Sequence, residues 1–543
     1  MSSEKIQRMK NYCRQNVIPW LVPMNIGAKN PESHKSTPYP NWLLIVLSLL
    51  FLLVYLWGMS FYVANQQFNS PDESANYYFL QEFVKSGQVA VEQNDIVTDA
   101  LHPRSILLWQ NKLVPISFPG LIYILAPFYL LAGLWGVFVF YAILFIFLMY
   151  LLGRWLKRES LPPVLWFLVA VQPALWYYLF HPLFNNVLSL LLAFSGMFLL
   201  SEPKKWAKNI GIFILILALW VRPFDVVYIL PILFVGSFYY AVAWRRRLTY
   251  FIALSVGAGL LFGMSNYLIY GSPFLCGYNL PSSVDSVISP SVISLTARAK
   301  LLFHNVLYFI VQLFWPFFYF ALLGFLAFIL NWKNHKKSTY LFLFSLIFSG
   351  GALVLFYGLS DLNDHVVPGS VTIGGAFARY WLPIYLLFLP FVALFYEALK
   401  NAQKKYLANL MLLILCLFSF YGVLWQHDDS LWAERKNLIA GIADRQAVSQ
   451  VLSKNSILVI DRDDKYFFPH YRVLHLSTFT DSYALSAIHD LLLSGEPVFY
   501  YGFTFKNKEF NRINAEHLQF FHLRLKAFDL SARKSLYQFE LYE

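Results

Sequence analysis

The sequence predicts a polytopic α-helical membrane protein with a small soluble α/β domain at its C-terminal end. The first observation is composition: of 543 residues, 58% are hydrophobic, 19% are aromatic and only 13% are charged, which is typical of a membrane protein rather than of one soluble core. The second is a series of long apolar runs that alternate with short polar loops. The third is a change of character near residue 425, after which short strand-like runs begin.

The N-terminal segment 1–40 is predicted to be a cytoplasmic tail. It is polar and carries six basic residues: Lys5, Arg8, Lys10, Arg14, Lys29 and Lys35. That is too long and too mixed for the charged head of a cleaved signal peptide. The apolar run from about 41 to 63 contains no charged residue and is long enough to cross ~30 Å of hydrocarbon. We therefore expect an uncleaved membrane anchor.

Ten further apolar segments predict a total of about eleven spans in a membrane domain of residues 41–425. They lie near 134–153, 162–180, 183–200, 209–221, 225–243, 248–270, 303–330, 340–358, 379–398 and 407–425. Each is bounded by polar residues or by Pro and Gly.

Basic triplets occupy every second loop and predict the topology. They are Arg154/Lys157/Arg158, Lys204/Lys205/Lys208, Arg245/Arg246/Arg247, Lys333/Lys336/Lys337 and Lys400/Lys404/Lys405. The positive-inside bias then places the N-terminus in the cytoplasm and the C-terminus outside. A further membrane crossing at 119–133 would put basic triplets on both sides of the membrane. That segment is therefore interpreted as a juxtamembrane helix at the outer interface. The same distribution accounts for the net charge of +12 without nucleic-acid binding.

Two regions of consequence are predicted outside the membrane, both on the outer side. The loop from about 64 to 118 carries three Lys/Arg and six Asp/Glu and is therefore acidic where the inner loops are basic. The region 426–543 contains strand-like runs at Ile457–Ile460, Val473–Leu476 and Val498–Tyr501, with a helical pattern at Ser482–Leu493. It is long enough to bury a core of its own. The three cysteines, in a tail, a loop and a span, imply no disulfide framework.

The stretch Ser70-Pro71-Asp72-Glu73, just after the first span, permits two compatible interpretations. One is a capping box, with Ser70 as N-cap, Pro71 in the first turn and Glu73 reaching back to the cap, in a helix that ends near Gly87. The other is a catalytic base: a helix N-terminus favours the ionised form of Asp72, and a general base must be ionised before a hydroxyl acceptor arrives.

Further motifs follow in order on the predicted outer side. They are His102-Pro103-Arg104, Val114-Pro115 through Pro119-Gly120, Arg222-Pro223, Tyr270-Gly271-Ser272-Pro273 with Gly277-Tyr278, and Ala378-Arg379-Tyr380. The pair Asp72-Glu73 follows a first span whose N-terminus is predicted to be in the cytoplasm. With this pair and the motifs above, residues 41–400 resemble the membrane-integral glycosyltransferases of the GT-C class. The resemblance is to the branch that includes the protein O-mannosyltransferases and the aminoarabinose transferases.

The resemblance implies an inverting glycosyltransferase of a bacterial cytoplasmic membrane, whose partners are a polyprenyl-phosphate sugar donor, membrane lipid, and a glycan, lipid or protein acceptor. It implies that Asp72 removes the acceptor proton, that Glu73 orients the acceptor or the loop, and that Arg222 or Arg379 holds the donor phosphate. Substrate contacts are expected at His102, Arg104, Tyr278 and Tyr380. The alternatives are that both arginines anchor span ends at the headgroups, that His102 and Arg104 are solvated, and that Tyr278 serves packing.

No cofactor is predicted. Asp361, Asp364 and His365 could bind a divalent ion, but a polar loop contains such residues in any case, and the first loop lacks an Asp-x-Asp spacing. The sequence departs from several relatives at His181-Pro182 and Asn185-Asn186, where an acidic residue is usual.

Other functions remain as alternatives. A lipid-linked sugar transporter or flippase needs a continuous polar path, and such proteins often show repeated halves. Here the ionisable residues lie near span ends, and no repeat is visible. A glycan ligase or polymerase is expected to carry its key basic residues in a large late outer loop. A catalytically silent relative is the third alternative.

Overall fold

The computed structural model describes residues 41–92, 102–159, 161–239, 244–280, 295–330, 337–360, 371–476, 478–529 and 534–542. The described part is mostly helical. The N-terminal tail 1–40, the basic residues Lys333 and Lys336, and the candidate metal residues Asp361, Asp364 and His365 lie outside the described residues.

The first two helices place the acidic pair at the end of the first span. Helix α1 covers Asn41–Asn65 and helix α2 covers Pro71–Ser86. The Ser70 hydroxyl accepts a hydrogen bond from the Asp72 backbone N–H at 3.2 Å, and Pro71 occupies the first turn, where no backbone N–H is needed. The helix ends at Gly87, whose φ of +74° is the left-handed conformation that glycine adopts at low cost.

A small antiparallel sheet follows in the first loop. Its strands are β1 (Val91–Glu92), β2 (Ile106–Trp109) and β3 (Lys112–Pro115), in the order β1-β3-β2. Trp109 pairs with Lys112, and both residues between them have positive φ, 49° at Gln110 and 64° at Asn111. This combination is typical of a two-residue hairpin turn.

Fourteen described α-helices follow between residues 120 and 424, besides two short 3-10 helices (Pro223–Asp225 and Gly277–Asn279) and a π-helical segment (Val306–Gln312). They are α3 (Gly120–Arg158), α4 (Val164–Ala170), α5 (Pro173–Leu179), α6 (Asn185–Ser201), α7 (Lys205–Val221), α8 (Val226–Tyr239), α9 (Trp244–Tyr270), α10 (Leu295–Asn305), α11 (Trp315–Leu330), α12 (Lys337–Gly358), α13 (Ala376–Tyr380), α14 (Leu382–Leu387), α15 (Leu389–Asn401) and α16 (Lys405–Leu424).

Four helical segments in the described residues are long and apolar enough to cross a membrane, or five if one bent pair counts as a span. The four are Gly120–Arg158, Arg245–Tyr270, Leu382–Asn401 and Lys405–Leu424. Shorter apolar helices lie in several of the other predicted spans. The number of eleven spans therefore stays a prediction.

Two predicted segments contain breaks. The stretch 303–330, predicted as one span, consists of two helices that meet at 95°, Thr296–Gln312 and Trp315–Leu330. Pro316 follows the bend and cannot donate the hydrogen bond that a continuous helix requires. Helix α3 has non-helical backbone at Ala132 and Gly133, the point where the sequence predicted a change from juxtamembrane helix to span. The orientation of its first half to the bilayer stays a prediction.

The C-terminal region begins with helix α17 (Leu431–Val451) and continues into a five-stranded mixed sheet. Its elements are β4 (Ile457–Ile460), α18 (Asp464–Phe467), β5 (Arg472–His475), α19 (Ser482–Leu493), β6 (Val498–Gly502), α20 (Asn507–Arg512), β7 (Leu523–Asp529) and β8 (Ser535–Leu541). The strand order is β5-β4-β6-β8-β7. Strands β4, β5 and β6 are mutually parallel, whereas β8 is antiparallel to both neighbours. The three strands and the helix predicted from the sequence lie at these positions.

The two faces of this sheet belong to different cores. Leu458 and Ile460 pack in the same apolar core as the helical part of the chain, whereas Ile457 and Val459 pack in a separate core with residues of α19. Successive side chains of a strand point to opposite faces, so an apolar run of four residues serves both. The sheet is therefore packed against the helical part, next to the first loop.

Candidate functional site

Asp72 lies in the first turn of α2 and has two side-chain partners. Its Oδ1 accepts a hydrogen bond from the Ser105 hydroxyl at 2.6 Å, and its Oδ2 accepts one from Nη1 of Arg379 at 2.7 Å. The Asp72 side chain is nevertheless 36% exposed. The carboxylate is thus held in place and still open to an incoming group.

The surroundings of Asp72 favour its ionised form. Burial acts to raise the pKa of this carboxyl, but the Arg379 charge and the hydrogen bonds from Ser105 and Arg379 outweigh it and lower the pKa below the ordinary 3.8. Opposite charge and donated hydrogen bonds both stabilise a carboxylate. Asp72 is therefore an unprotonated acceptor at neutral pH.

Arg379 lies in α13, against aromatic rings. Its guanidinium carbon is 4.6 Å from the centre of the Phe184 ring and 5.2 Å from that of Tyr380. The side chain is 10% exposed. Stacking on rings fixes the plane of a guanidinium and leaves its edge for anions.

Arg222, the other arginine predicted to hold phosphate, is occupied by partners of its own. Its Nη1 donates to Asp225 at 2.6 Å and its Nη2 to the Tyr357 hydroxyl at 2.8 Å. The guanidinium also lies 5.1 Å from the Tyr380 ring centre, and its side chain is only 5% exposed. A buried charge already neutralised by a carboxylate is poorly placed to bind a phosphate. Of the two predicted phosphate ligands the geometry therefore favours Arg379, while Arg222 supports the Tyr357 and Tyr380 rings, whose centres are 4.9 Å apart.

Tyr278 approaches the same place from the loop after α9. Its ring packs against Phe118 at 5.1 Å between ring centres. Burial raises the pKa of its phenol, Tyr380 and Asp72 raise it further, and Arg379 and Arg222 lower it. Its ring also lies 6.2 Å from that of Phe224, two residues from Arg222. The contacts given above join Asp72, Arg379, Tyr380 and Arg222 into one group, and Tyr278 borders it.

Glu73 points away from Asp72. It is fully buried, and its Oε2 lies 3.0 Å from Nδ1 of His181. The predicted return of Glu73 to the Ser70 cap is therefore wrong, because a tertiary partner takes its carboxylate. Because the side chain is fully buried, its place favours the alternative that Glu73 orients the loop.

His181 bridges two acidic residues from distant parts of the chain. Its Nε2 lies 3.1 Å from Oε2 of Glu434 in α17, and the Tyr177 hydroxyl donates to the other oxygen of Glu434 at 2.7 Å. Burial acts to lower the pKa of His181, but Glu434 and Glu73 outweigh it and raise the pKa to about 10. The buried His181 side chain thus joins the helix that carries Asp72 to the helix that begins the C-terminal region.

Arg104 makes a second link to the C-terminal region. Its Nη2 donates to Oδ1 of Asp464 at 2.6 Å and to the Arg462 carbonyl at 2.6 Å, and its backbone N–H donates to the other Asp464 oxygen at 2.7 Å. Asp464 is fully buried. Arg104 thus forms an ion pair between the first loop and the C-terminal region, and because its side chain is still 28% exposed, its contact with substrate stays a prediction.

His102 lies close by, half-buried, with Nδ1 3.1 Å from the Pro103 carbonyl. His102 and Arg104 both influence the pKa of His475 in β5, which burial lowers. Arg104 is therefore turned towards the C-terminal region, and the predicted substrate contact of His102 stays a prediction.

Substitution of Arg104 by Lys is expected to lower the free energy of unfolding by about 1–2 kcal/mol, because lysine keeps the charge and loses the paired hydrogen bonds of the guanidinium. Chemical denaturation in detergent measures the change. The matched control is Arg462→Lys, whose side chain is 42% exposed and 3.8 Å from Asp461; such surface pairs contribute little. Equal stability of the Arg104→Lys variant and the parent would contradict the link.

Several functional candidates were not predicted from the sequence. Ser105 directly follows the His102-Pro103-Arg104 motif, and that position was its only signal. Glu434 and Asp464 lie in the region 426–543, where sequence patterns indicated only strands and helices. Among the described residues, no group of three or more His, Cys, Asp or Glu side chains is placed to hold a metal ion. That the reaction at this site needs no metal ion stays a prediction.

Comparisons with known proteins support the fold. No protein-family model matches the chain, and no curated protein gives a match. The crystal structure of ArnT from Cupriavidus metallidurans in the apo state superposes with a TM-score of 0.52 at 12% sequence identity. The match covers 91% of this chain and 97% of that one. ArnT is an aminoarabinose transferase of the GT-C class, so the resemblance noted in the sequence is confirmed at the level of the fold: this chain has the fold of ArnT.

Proposed function

We propose that this chain is an inverting glycosyltransferase of a bacterial cytoplasmic membrane, which moves a sugar from a polyprenyl-phosphate donor to a glycan, lipid or protein acceptor at the outer face. The observation that carries the proposal is the Asp72 carboxylate, held by Ser105 and Arg379 and still 36% exposed. The ArnT fold supports the same reaction class by analogy.

The pair of Asp72 and Arg379 suits both halves of the reaction. Asp72 accepts the proton of the acceptor hydroxyl as the new glycosidic bond forms and the bond from the anomeric carbon to the phosphate breaks. The carboxylate thereby loses its negative charge as the leaving phosphate gains one. Arg379 can then exchange one anionic partner for the other without moving far, so its charge stabilises the transition state.

The helix ends support the outer face as the place of the reaction. Helix α7 begins at Lys205, in a basic loop, and ends at Val221, next to Arg222. A helix of that length spans about 25 Å. The candidate site and the basic loops therefore lie at opposite ends of the same helices. Under the positive-inside bias, the site belongs to the outer side.

Reconstitution into proteoliposomes tests this function. The parent protein is supplied with a panel of polyprenyl-phosphate sugars, labelled in the sugar, and with a total extract of envelope lipids and glycans as acceptors. We expect one donor to give labelled product with inverted anomeric configuration. Movement of label across the bilayer without a new glycosidic bond would instead indicate the transporter alternative, and growth of a polymer would indicate the ligase or polymerase alternative.

A further inference from the structure

A large cavity lies at the end of the helices opposite Asp72. Its volume is about 810 Å³, within the range of ~300–1,000 Å³ common for ligand sites. It lies between α3, α4, α6, α7, α8, α9, α12, α14 and α15, and most of its lining is aliphatic or aromatic. The candidate active site does not use it.

The chemistry of the cavity changes from its interior to its rim. Arg158, Lys208 and Arg247 line it near the C-terminal end of α3 and the N-terminal ends of α7 and α9, together with a single acid, Glu159. Arg158 pairs with Glu159 at 3.0 Å and with Glu202, a second acid beside the rim, at 3.6 Å. The three cationic side chains still outnumber these acids, so the rim has an excess of positive charge. The occupant should therefore be apolar at one end and anionic at the other.

The depth of the cavity indicates what kind of amphiphile fits. Its lining extends along α3 from Arg158 back to Leu148 and along α7 from Lys208 to Leu215. At 1.5 Å per residue these stretches measure about 15 Å and about 10 Å. One leaflet of a ~30 Å hydrocarbon layer is about 15 Å thick. An acyl chain that begins at the rim would therefore end inside the cavity.

We infer that this cavity binds one anionic diacyl phospholipid from the leaflet at the basic end, with its phosphate at the Lys208 rim and its chains in the interior. Basic pockets between helices on the cytoplasmic side are suited to anionic headgroups. Under the predicted orientation this is the cytoplasmic leaflet. The site does not depend on the proposed transferase function, because Asp72 lies at the far end of the helices.

A glycine allows the cavity to be filled. Gly236 lies in α8 and lines the cavity, and a Cβ atom placed on it would meet no atom within 4 Å. Gly236→Phe therefore places a ring where the acyl chains would lie. The matched control is Gly259→Phe in α9, which is exposed, has equally open space and does not line the cavity. Both variants also remove a glycine from a helix interior, so they should not weaken the helix.

The headgroup is tested by a second pair of variants on one helix. Lys208 is half-buried at the rim, whereas Lys205 is exposed and outside it. Lys208→Gln should reduce the preference for an anionic headgroup, and Lys205→Gln should leave it unchanged. Because these residues are near the surface, the pair remains informative if the Gly236→Phe variant fails to fold.

The experiment is native mass spectrometry of the delipidated full chain, titrated with phosphatidylglycerol or phosphatidylcholine of identical acyl chains. We expect one phosphatidylglycerol to bind at least about ten times more tightly than phosphatidylcholine. Gly236→Phe should weaken it about tenfold or more, and Gly259→Phe should not. Lys208→Gln should lower the preference several-fold. The inference would be overturned if the parent bound the two lipids equally, or if both Gly236→Phe and Lys208→Gln bound them as the parent does. It would also be overturned if a folded Gly259→Phe control lost as much affinity for phosphatidylglycerol as Gly236→Phe.

Discussion

The Asp72→Asn variant is expected to lose at least about 100-fold in the rate of glycosyl transfer while it remains folded. Asparagine has nearly the same shape and can still accept the hydrogen bond from Ser105, so the helix start should persist. Its amide cannot accept the acceptor's proton at neutral pH. The initial rate with the donor found active in proteoliposomes measures the loss, and the thermal unfolding midpoint checks the fold.

The matched control for this substitution is Glu82→Gln, which makes the same change of carboxylate to amide on the same helix. Glu82 is part-exposed and lies 3.7 Å from Lys85, about 15 Å along α2 from Asp72. Its transfer rate should equal that of the parent. A rate of Asp72→Asn close to the parent would remove Asp72 as the base and would favour a silent relative or a transporter.

The pH dependence of transfer offers a second measurement of the same group. Because the pKa of Asp72 is depressed below 3.8, the base form persists as pH falls, and kcat/KM should not decline on its account between about pH 7 and 4.5. Removal of the charge in Arg379→Gln lets burial raise the pKa of Asp72. The decline of kcat/KM at low pH should then begin at a higher pH, between about 4.5 and 7. If this decline began at the same pH as in the parent, whatever the overall rate, Arg379 would not lower the pKa of Asp72.

Local signals explain the elements that the sequence predicted well. Helix α2 begins after Ser70 and ends at Gly87 because cap, first-turn proline and left-handed glycine act within a few residues of the backbone groups that they satisfy. Strand β4 occupies the predicted run Ile457–Ile460, since four apolar residues between turn signals fit a strand buried on both faces. Such signals need no knowledge of distant residues.

The sequence did not predict the partners of side chains that lie far away in the chain. Glu73 bonds to His181, 108 residues later, and Arg104 bonds to Asp464, 360 residues later. A local pattern can show that such a group needs a partner when buried, but it cannot show which one. Arg222 was ambiguous for another reason. Its acidic partner, Asp225, is three residues away. The same local sequence is compatible with an arginine that anchors a span end, one in a buried ion pair and one that binds phosphate.

The convergence of Asp72 with Arg379 was predicted only through the resemblance to a family. The two residues are 307 positions apart, and no periodicity or spacing connects them. The order of motifs suggested one site because all of them fell on the same predicted side of the membrane. The membrane sides predicted from the basic loops were therefore as important for the prediction of the site as the motifs themselves.

The His181→Ala variant is expected to lose about 3–5 kcal/mol of stability, because it leaves the Glu73 and Glu434 carboxylates buried without the cation between them. Both acids are almost inaccessible, with Glu73 0% and Glu434 4% exposed. The loss should appear as a large decrease in the denaturation midpoint in detergent. The control is His489→Ala, whose ring is 3.4 Å from Asp490 at the surface, where such a pair contributes at most about 1 kcal/mol.

The stability of the parent should also fall as pH rises. The folded state raises the pKa of His181 from the ordinary 6.5 to about 10, so the imidazolium is stabilised fully below pH 6.5. That contribution is lost progressively as pH rises from 6.5 through 10. Burial, the largest influence on Glu73, raises its pKa as well despite the His181 charge, and a buried acid that must ionise also favours low pH. The thermal midpoint should therefore be higher near pH 6.5 than near pH 10.

Glu73→Gln separates the ion pair from simple packing. Glutamine is similar in size and can still bond to Nδ1 of His181, but it removes one of the two charges that raise the pKa of the imidazole. The decline in stability should then still begin near pH 6.5, the ordinary pKa of the unfolded state, but should end at lower pH than in the parent. The activity of this variant should fall much less than that of Asp72→Asn, because Glu73 only holds the helix that carries the base. An unchanged pH profile would mean that His181 and Glu73 do not form the buried ion pair that links α2 to α17. A loss of transfer equal to that of Asp72→Asn would mean that Glu73 takes part in the reaction itself.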